Sequence, residues 1–197
     1  MNKSDEILNI AKKNNGIITS SIITEAGLSR GLLKYLTDIG KLERAARGVY
    51  VLTGTMDDEF VNLQSRFKKG VFCLETALFL NDLTDRTPNK YNMAFPYSYN
   101  LDGAKKSGVL CSSSTKENYG LGVIKIATPS GNLVSAYNAE RTLCDILKTK
   151  SKTDIQLVST AFKRYVKRKD KNIPLLSEYA KILKIEKKLR TYLEVLL

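Results

Sequence analysis

Over the first fifty residues the apolar positions change period twice. Ile7, Leu8, Ile10 and Ala11 recur at helical spacing behind Ser4, a candidate N-cap, with Asp5 and Glu6 in the first turn, where negative charge suits the helix dipole. The β-branched run "IIT" at 17–19 breaks that pattern, and Thr19 is placed to cap a second helix over Ser20–Ala26 with Ile22 and Ile23 inward. Gly27 is a natural residue just past its end. Ser29 then caps a third helix in which Leu32, Leu33, Leu36 and Ile39 share one side, while Arg30, Gly31, Lys34, Tyr35 and Asp38 take the other. Gly40 stops it, and "LERA" and "GVYVL" follow as a hairpin over Leu42–Ala45 and Gly48–Leu52.

Short helix, glycine turn, second helix and hairpin, in that order, predict a winged helix-turn-helix over residues 1–55. Such a module presents the N-terminal half of its recognition helix to the major groove. On this reading Ser29, Arg30, Lys34 and Tyr35 face double-stranded DNA, and Arg44 and Arg47 on the wing reach phosphate or minor groove. The alternative for the two arginines is a tie within the wing, to Glu43 or Asp38.

The polar stretch "TGTMDD" at 53–58 marks a boundary, and residues 56–197 read as a second, larger domain. There the pattern mixes periods. "EFVNLQSRF" and "VFCLETALFLNDL" read as helices, "KYNMAFP", "LGVIKIATP" and "SGNLVSAYN" as strands, and "AERTLCDILK" as a helix with Leu143, Ile146 and Leu147 inward. Residues 100–120 are rich in Gly and Ser and read as a loop with a short strand at Val109–Cys111. From 153 onward the reading is helical: Leu157, Val158, Ala161, Phe162 and Tyr165 line one side, and Lys163, Arg164, Lys167 and Arg168 cluster on another. Pro174 separates that helix from two more. The predicted fold class is α+β, a winged helix-turn-helix followed by a mixed domain with a small sheet and C-terminal helices.

Composition narrows the chemistry. The 197 residues contain no histidine, which removes Ser-His-Asp and Cys-His catalysis together with most zinc hydrolase arrangements. Neither phosphate-cradling glycine motif is present, and no cofactor is expected. Cys73, Cys111 and Cys144 lack paired spacing and read as reduced thiols. With no run of about eighteen apolar residues and no signal-peptide pattern at the start, a cytoplasmic protein without membrane association is expected. The net charge of +12 favours polyanionic partners. It is concentrated at the end of the chain, where residues 151–197 carry 12 basic side chains against 5 acidic. The basic face of the 153–170 helix is either a solvated surface or a second contact for nucleic acid or an acidic partner.

The hairpin "LERAARGVYVL", followed at a distance by "LETALFLNDL" and "VSAYNAERTLCDIL", resembles the AbiEi family of type IV toxin-antitoxin antitoxins from abortive-infection systems. The resemblance implies an N-terminal domain that binds inverted repeats in its own promoter and represses it. It also implies a C-terminal domain that neutralises a nucleotidyltransferase-like toxin without forming a stable complex. Glu75 and Thr76 match the first of the family's helix motifs, and Glu140, Arg141, Thr142 and Asp145 the second. From the residues themselves, Glu140 suits a helix first turn and Arg141 with Asp145 forms an i, i+4 pair, a structural use typically worth about 0.2–0.5 kcal/mol on a helix surface. One module makes a small footprint, so a free monomer that places two copies on paired repeats is expected.

Two other classes compete. A metal-dependent nuclease would need carboxylates such as Glu75 and Asp82 with Lys125, although no tight carboxylate-x-Lys element occurs. A regulator whose C-terminal domain senses a small molecule is the other, although no ligand motif stands out.

Overall fold

The computed structural model describes residues 2–148 and 153–196, and its contacts divide the chain into two units. The first comprises residues 1–68 with 127–134, and the second comprises 69–126 with 135–197.

The first unit begins with α1 (Lys3–Lys13), capped by Asn2, whose side chain accepts the Ser4 N–H; the cap is therefore two residues ahead of the expected Ser4. After β1 (Ile17–Thr19), Thr19 Oγ1 accepts the Ile22 N–H and starts α2 (Ser20–Glu25). Helix α3 (Gly31–Asp38) begins at a turn in which Ser29 Oγ accepts the Gly31 N–H. Ile39, expected inward, lies past the last turn and is exposed, while Leu33 and Leu36 are buried. Strands β2 (Leu42–Ala46) and β3 (Val49–Leu52) form an antiparallel hairpin, and β1 joins β3 to complete a three-stranded sheet in the order β1-β3-β2.

Alternation divides that sheet between two apolar clusters. Ile18, Leu42, Tyr50 and Leu52 pack against Ile7, Ala11, Ile23, Leu33 and Leu36 of the helices. Ile17, Val49 and Val51 face the other way and meet Val61 of α4 (Glu59–Arg66). That second contact carries the first unit through Lys68, beyond the polar stretch at 53–58. Asp58 in that stretch is itself buried. One carboxylate oxygen caps α4 at Phe60 N and Val61 N, and the other accepts from Thr128 Oγ1 at 2.6 Å and Asn132 Nδ2 at 2.9 Å. A buried carboxylate with four donors is fully satisfied, and this pairing accounts for residues 127–134 grouping with the first unit.

The second unit is built on a five-stranded mixed sheet in the order β6-β5-β4-β8-β7. Its strands are β4 (Val71–Phe72), β5 (Asn92–Pro96), β6 (Leu110–Ser114), β7 (Val123–Ala127) and β8 (Leu133–Tyr137). Val71 and Phe72, expected in a helix, form the central strand, paired antiparallel with β5 and parallel with β8. Tertiary pairing on both edges overrides a local pattern too short to distinguish helix from buried strand. Helix α5 (Leu74–Leu80) starts only afterwards. The expected loop at 100–120 holds α6 (Asp102–Lys106), all of β6 and α7 (Lys116–Tyr119), because β6 pairs parallel with β5 along its whole length.

Helices α8 (Ala139–Ile146), α9 (Ile155–Lys167), α10 (Ile173–Ile182) and α11 (Glu186–Leu196) share the main core with α5 through residues such as Leu78, Leu143, Phe162, Tyr165, Leu176 and Leu189. Pro174 lies in the first turn of α10, where its missing N–H costs nothing, and so it opens that helix rather than preceding it. The architecture is α+β, as the sequence predicts. Among the described residues no helix is long and apolar enough to cross a membrane.

Candidate functional site

In the first unit, Ser29, Arg30, Lys34, Tyr35, Arg44 and Arg47 are all exposed. Their employment differs. Arg30 donates from Nε to Thr24 Oγ1 at 2.8 Å, which fixes it against the end of α2. Ser29 is engaged as the turn acceptor at the start of α3. Lys34, Tyr35, Arg44 and Arg47 make no side-chain hydrogen bond or ion pair to the described residues, so neither hairpin arginine is tied to Glu43 or Asp38.

Register and turns bring several of these side chains together. Arg44 pairs across the hairpin with Tyr50 and alternates with Leu42, so it stands on the sheet face that meets the helices, on the strand against which α3 packs. Arg47 occupies the two-residue turn with Gly48, whose φ of +78° suits the glycine. The Gly48 carbonyl accepts the Ser20 N–H at 2.8 Å, which holds the hairpin tip at the start of α2. Arg30 is bound near the other end of the same helix, and six residues of α2 span about 9 Å. The two guanidinium-bearing residues thus bracket α2, and Lys34 and Tyr35 follow on α3.

The basic side chains of α9 are used differently. Arg164 makes a bidentate contact with Asp85, and its hydrogen bond holds that carboxyl below the ordinary range. Arg168 pairs with Asp170 through two hydrogen bonds, donates a third to the Asn81 carbonyl, and lowers the Asp170 carboxyl to about 2. Lys163 and Lys167 are exposed. The predicted four-residue cationic face is therefore half neutralised within its own unit.

The two helix motifs of the second unit form a buried polar framework. Thr76 is fully buried and its hydroxyl accepts the Asn92 N–H, which joins α5 to the start of β5. Glu75 lies partly exposed in the first turn of α5. Glu140 accepts from Tyr165 Oη at 2.8 Å, and burial, together with that carboxylate, pushes the tyrosine phenol up. Thr142 donates to the Tyr137 carbonyl.

Arg141, only 2% exposed, pairs with Asp145 at 3.0 Å, donates from Nη1 to the Asn118 and Leu121 carbonyls, and lies over the Tyr137 ring at 4.3 Å. Gly122 makes room for it: a Cβ there would lie 2.7 Å from Arg141 Cβ, and its φ is +75°. The expectation of a weak surface pair is thus corrected. A buried pair of this kind is expensive to break, because the remaining charge has no water to return to.

Cys73 and Cys144 are buried thiols pushed up to about 12 by desolvation, and Cys111 is raised for the same reason. None is poised as a thiolate. Lys125, named for the nuclease alternative, donates to Ser135 Oγ. Among the described residues no group of three or more Cys, Asp and Glu converges as a metal site. Sequence reasoning missed Cys73, Ser112, Ser114, Tyr137 and Lys148, which line a cavity beside Arg141 and Asp145. The "CSSS" run at 111–114 was the only local signal.

The RV2827C protein from Mycobacterium tuberculosis shares the fold over 91% of this chain and 71% of its own, with a TM-score of 0.55 at 14% sequence identity. No curated protein matches the sequence. Residues 5–53 match the family model described as "Transcriptional regulator, AbiEi antitoxin". The resemblance to the AbiEi antitoxins therefore holds over the segment that runs from α1 to β3.

Proposed function

We propose that the first unit is a winged helix-turn-helix with which this chain binds inverted repeats in its own promoter and represses it, as the antitoxin of a type IV pair. The observation that carries this reading is the exposed and unpaired state of Lys34, Arg44 and Arg47, within the segment that matches a regulator family. Cations without internal partners remain available to phosphates, and each phosphate neutralised releases counterions. The N-terminal half of α3 enters the major groove, Arg30 is held in place by Thr24, and Arg44 and Arg47 anchor the backbone beside it. Two copies occupy paired repeats, although the free chain is a monomer. The second unit counteracts a nucleotidyltransferase-like toxin in the cytoplasm without stable association, and the chain acts as a regulator rather than an enzyme.

The test is a gel-shift titration of the full chain on its promoter fragment. Lys34→Ala and Arg47→Ala each weaken binding while the circular dichroism spectrum is unchanged. Undiminished affinity in both variants removes the proposed surface. Sequencing the neighbouring reading frames and co-expressing any nucleotidyltransferase-like toxin found there tests the antitoxin half, and growth arrest that persists in the presence of this chain refutes it.

A further inference from the structure

The second unit contains a cavity of about 320 Å³, within the usual size range of small-ligand sites. One wall belongs to α8 and to Lys148, two residues past its end. Arg141 uses Nε and Nη1 internally, whereas its Nη2 makes no hydrogen bond to the described residues. Lys148, 36% exposed, approaches the other oxygen of Asp145. One carboxylate thus serves two cations, and the wall keeps a net positive charge.

The facing wall is β6, one of the two edge strands of the sheet, where Ser112 and Ser114 alternate onto one side. Leu74, Ala94 and the Tyr137 ring supply an apolar floor. Leu74 has a φ of +48°, unusual for a bulky side chain, so backbone strain also collects at this cavity.

We propose that this cavity binds the oxyanion group of a small organic ligand, a phosphate monoester or a carboxylate. Arg141, Lys148 and the Ser112 and Ser114 hydroxyls receive the anionic group, and the carbon body lies on Leu74 and Tyr137. Guanidinium, ammonium and hydroxyl donors around one space match an acceptor-only anion and repel metal cations. Cys73, beside Ser112, is a buried protonated thiol, so the site binds without covalent attack. This inference stands apart from promoter binding, which uses other residues.

The experiment follows amide ¹H–¹⁵N shifts of the full chain during titration with inorganic phosphate, phenyl phosphate and benzoate, with sodium chloride at matched ionic strength as the reference. The expected result is saturable movement of the Ser112, Ser114 and Lys148 amides, absent with chloride. Lys148→Met and Ser114→Ala should each weaken the affinity about tenfold, the usual scale for losing one charge-assisted hydrogen bond. Phenyl phosphate binding more tightly than benzoate identifies a phosphate ester, and the reverse order a carboxylate. Shifts that never saturate, that map to Arg30, Arg44 and Arg47 instead, or that persist undiminished in both variants overturn the proposal. Intact binding of promoter DNA in the two variants shows that any loss belongs to this cavity.

Discussion

The arginines of the two units show how one side-chain chemistry serves opposite ends. In the first unit Arg44 and Arg47 stand exposed on a short hairpin without an internal anion, while in the second Arg141, Arg164 and Arg168 each have a carboxylate partner. A basic composition therefore says little about where a polyanion binds. What matters is which cations the fold has already neutralised.

The comparison breaks most visibly at Arg141. Arg141→Ala leaves Asp145 inside the protein with only Lys148 as partner, and the expected loss is about 3–5 kcal/mol, measured by urea denaturation. Replacing both members with Met and Leu should recover only part of that loss, because the stranded charge is gone but the Asn118 and Leu121 carbonyls lose their donor. A single variant as stable as the parent would mean that the pair is solvated.

A smaller effect is expected in the first unit and of a different kind. Arg44→Ala and Arg47→Ala should leave the melting temperature essentially unchanged, while each lowers the slope of log affinity against log salt by about 0.9 on duplex DNA. Arg164→Ala and Arg168→Ala supply the contrast, since cations already paired with carboxylates outside the proposed surface should leave that slope alone. A slope that falls equally in both sets would erase the distinction between the units.

Thiol labelling sharpens the picture of the cavity. Cys111, half-buried, should react first with a disulfide reagent near pH 8, whereas Cys73 and Cys144, raised to about 12 by burial, should react only as the chain opens. The smallest effect concerns acid. The Asp170 carboxyl is lowered from 3.8 to about 2 by Arg168, so its folded pKa lies below its unfolded one. Its contribution to stability is complete above the unfolded value and fades as pH falls from about 4 towards 2. Thermal melts of Asp170→Asn and the parent should differ at neutral pH and converge over that range.

Much of the first unit was readable from the chain alone. Gly27 and Gly40 end their helices as the pattern implies, Thr19 caps α2, and the alternation of Leu42–Leu52 fixes the hairpin and its inward face. The second unit was less legible at Val71–Phe72 and along β6. Both runs are short, and their conformation depends on strands far along the chain. The cavity escaped notice for the same reason, because Cys73, Ser112 and Lys148 meet only after the sheet has formed.

The sequence by itself determined the periods, caps and glycine stops of local elements, the absence of histidine chemistry and the excess of positive charge. These depend on neighbouring residues or on composition. Only the tertiary structure decided that Arg141 is buried and that Asp145 is shared by two cations, that Asp58 is satisfied by Thr128 and Asn132, and that a serine-bearing edge strand faces that cation pair. Those outcomes depend on which distant residues share the same low-dielectric space, and that is set by packing rather than by spacing along the chain.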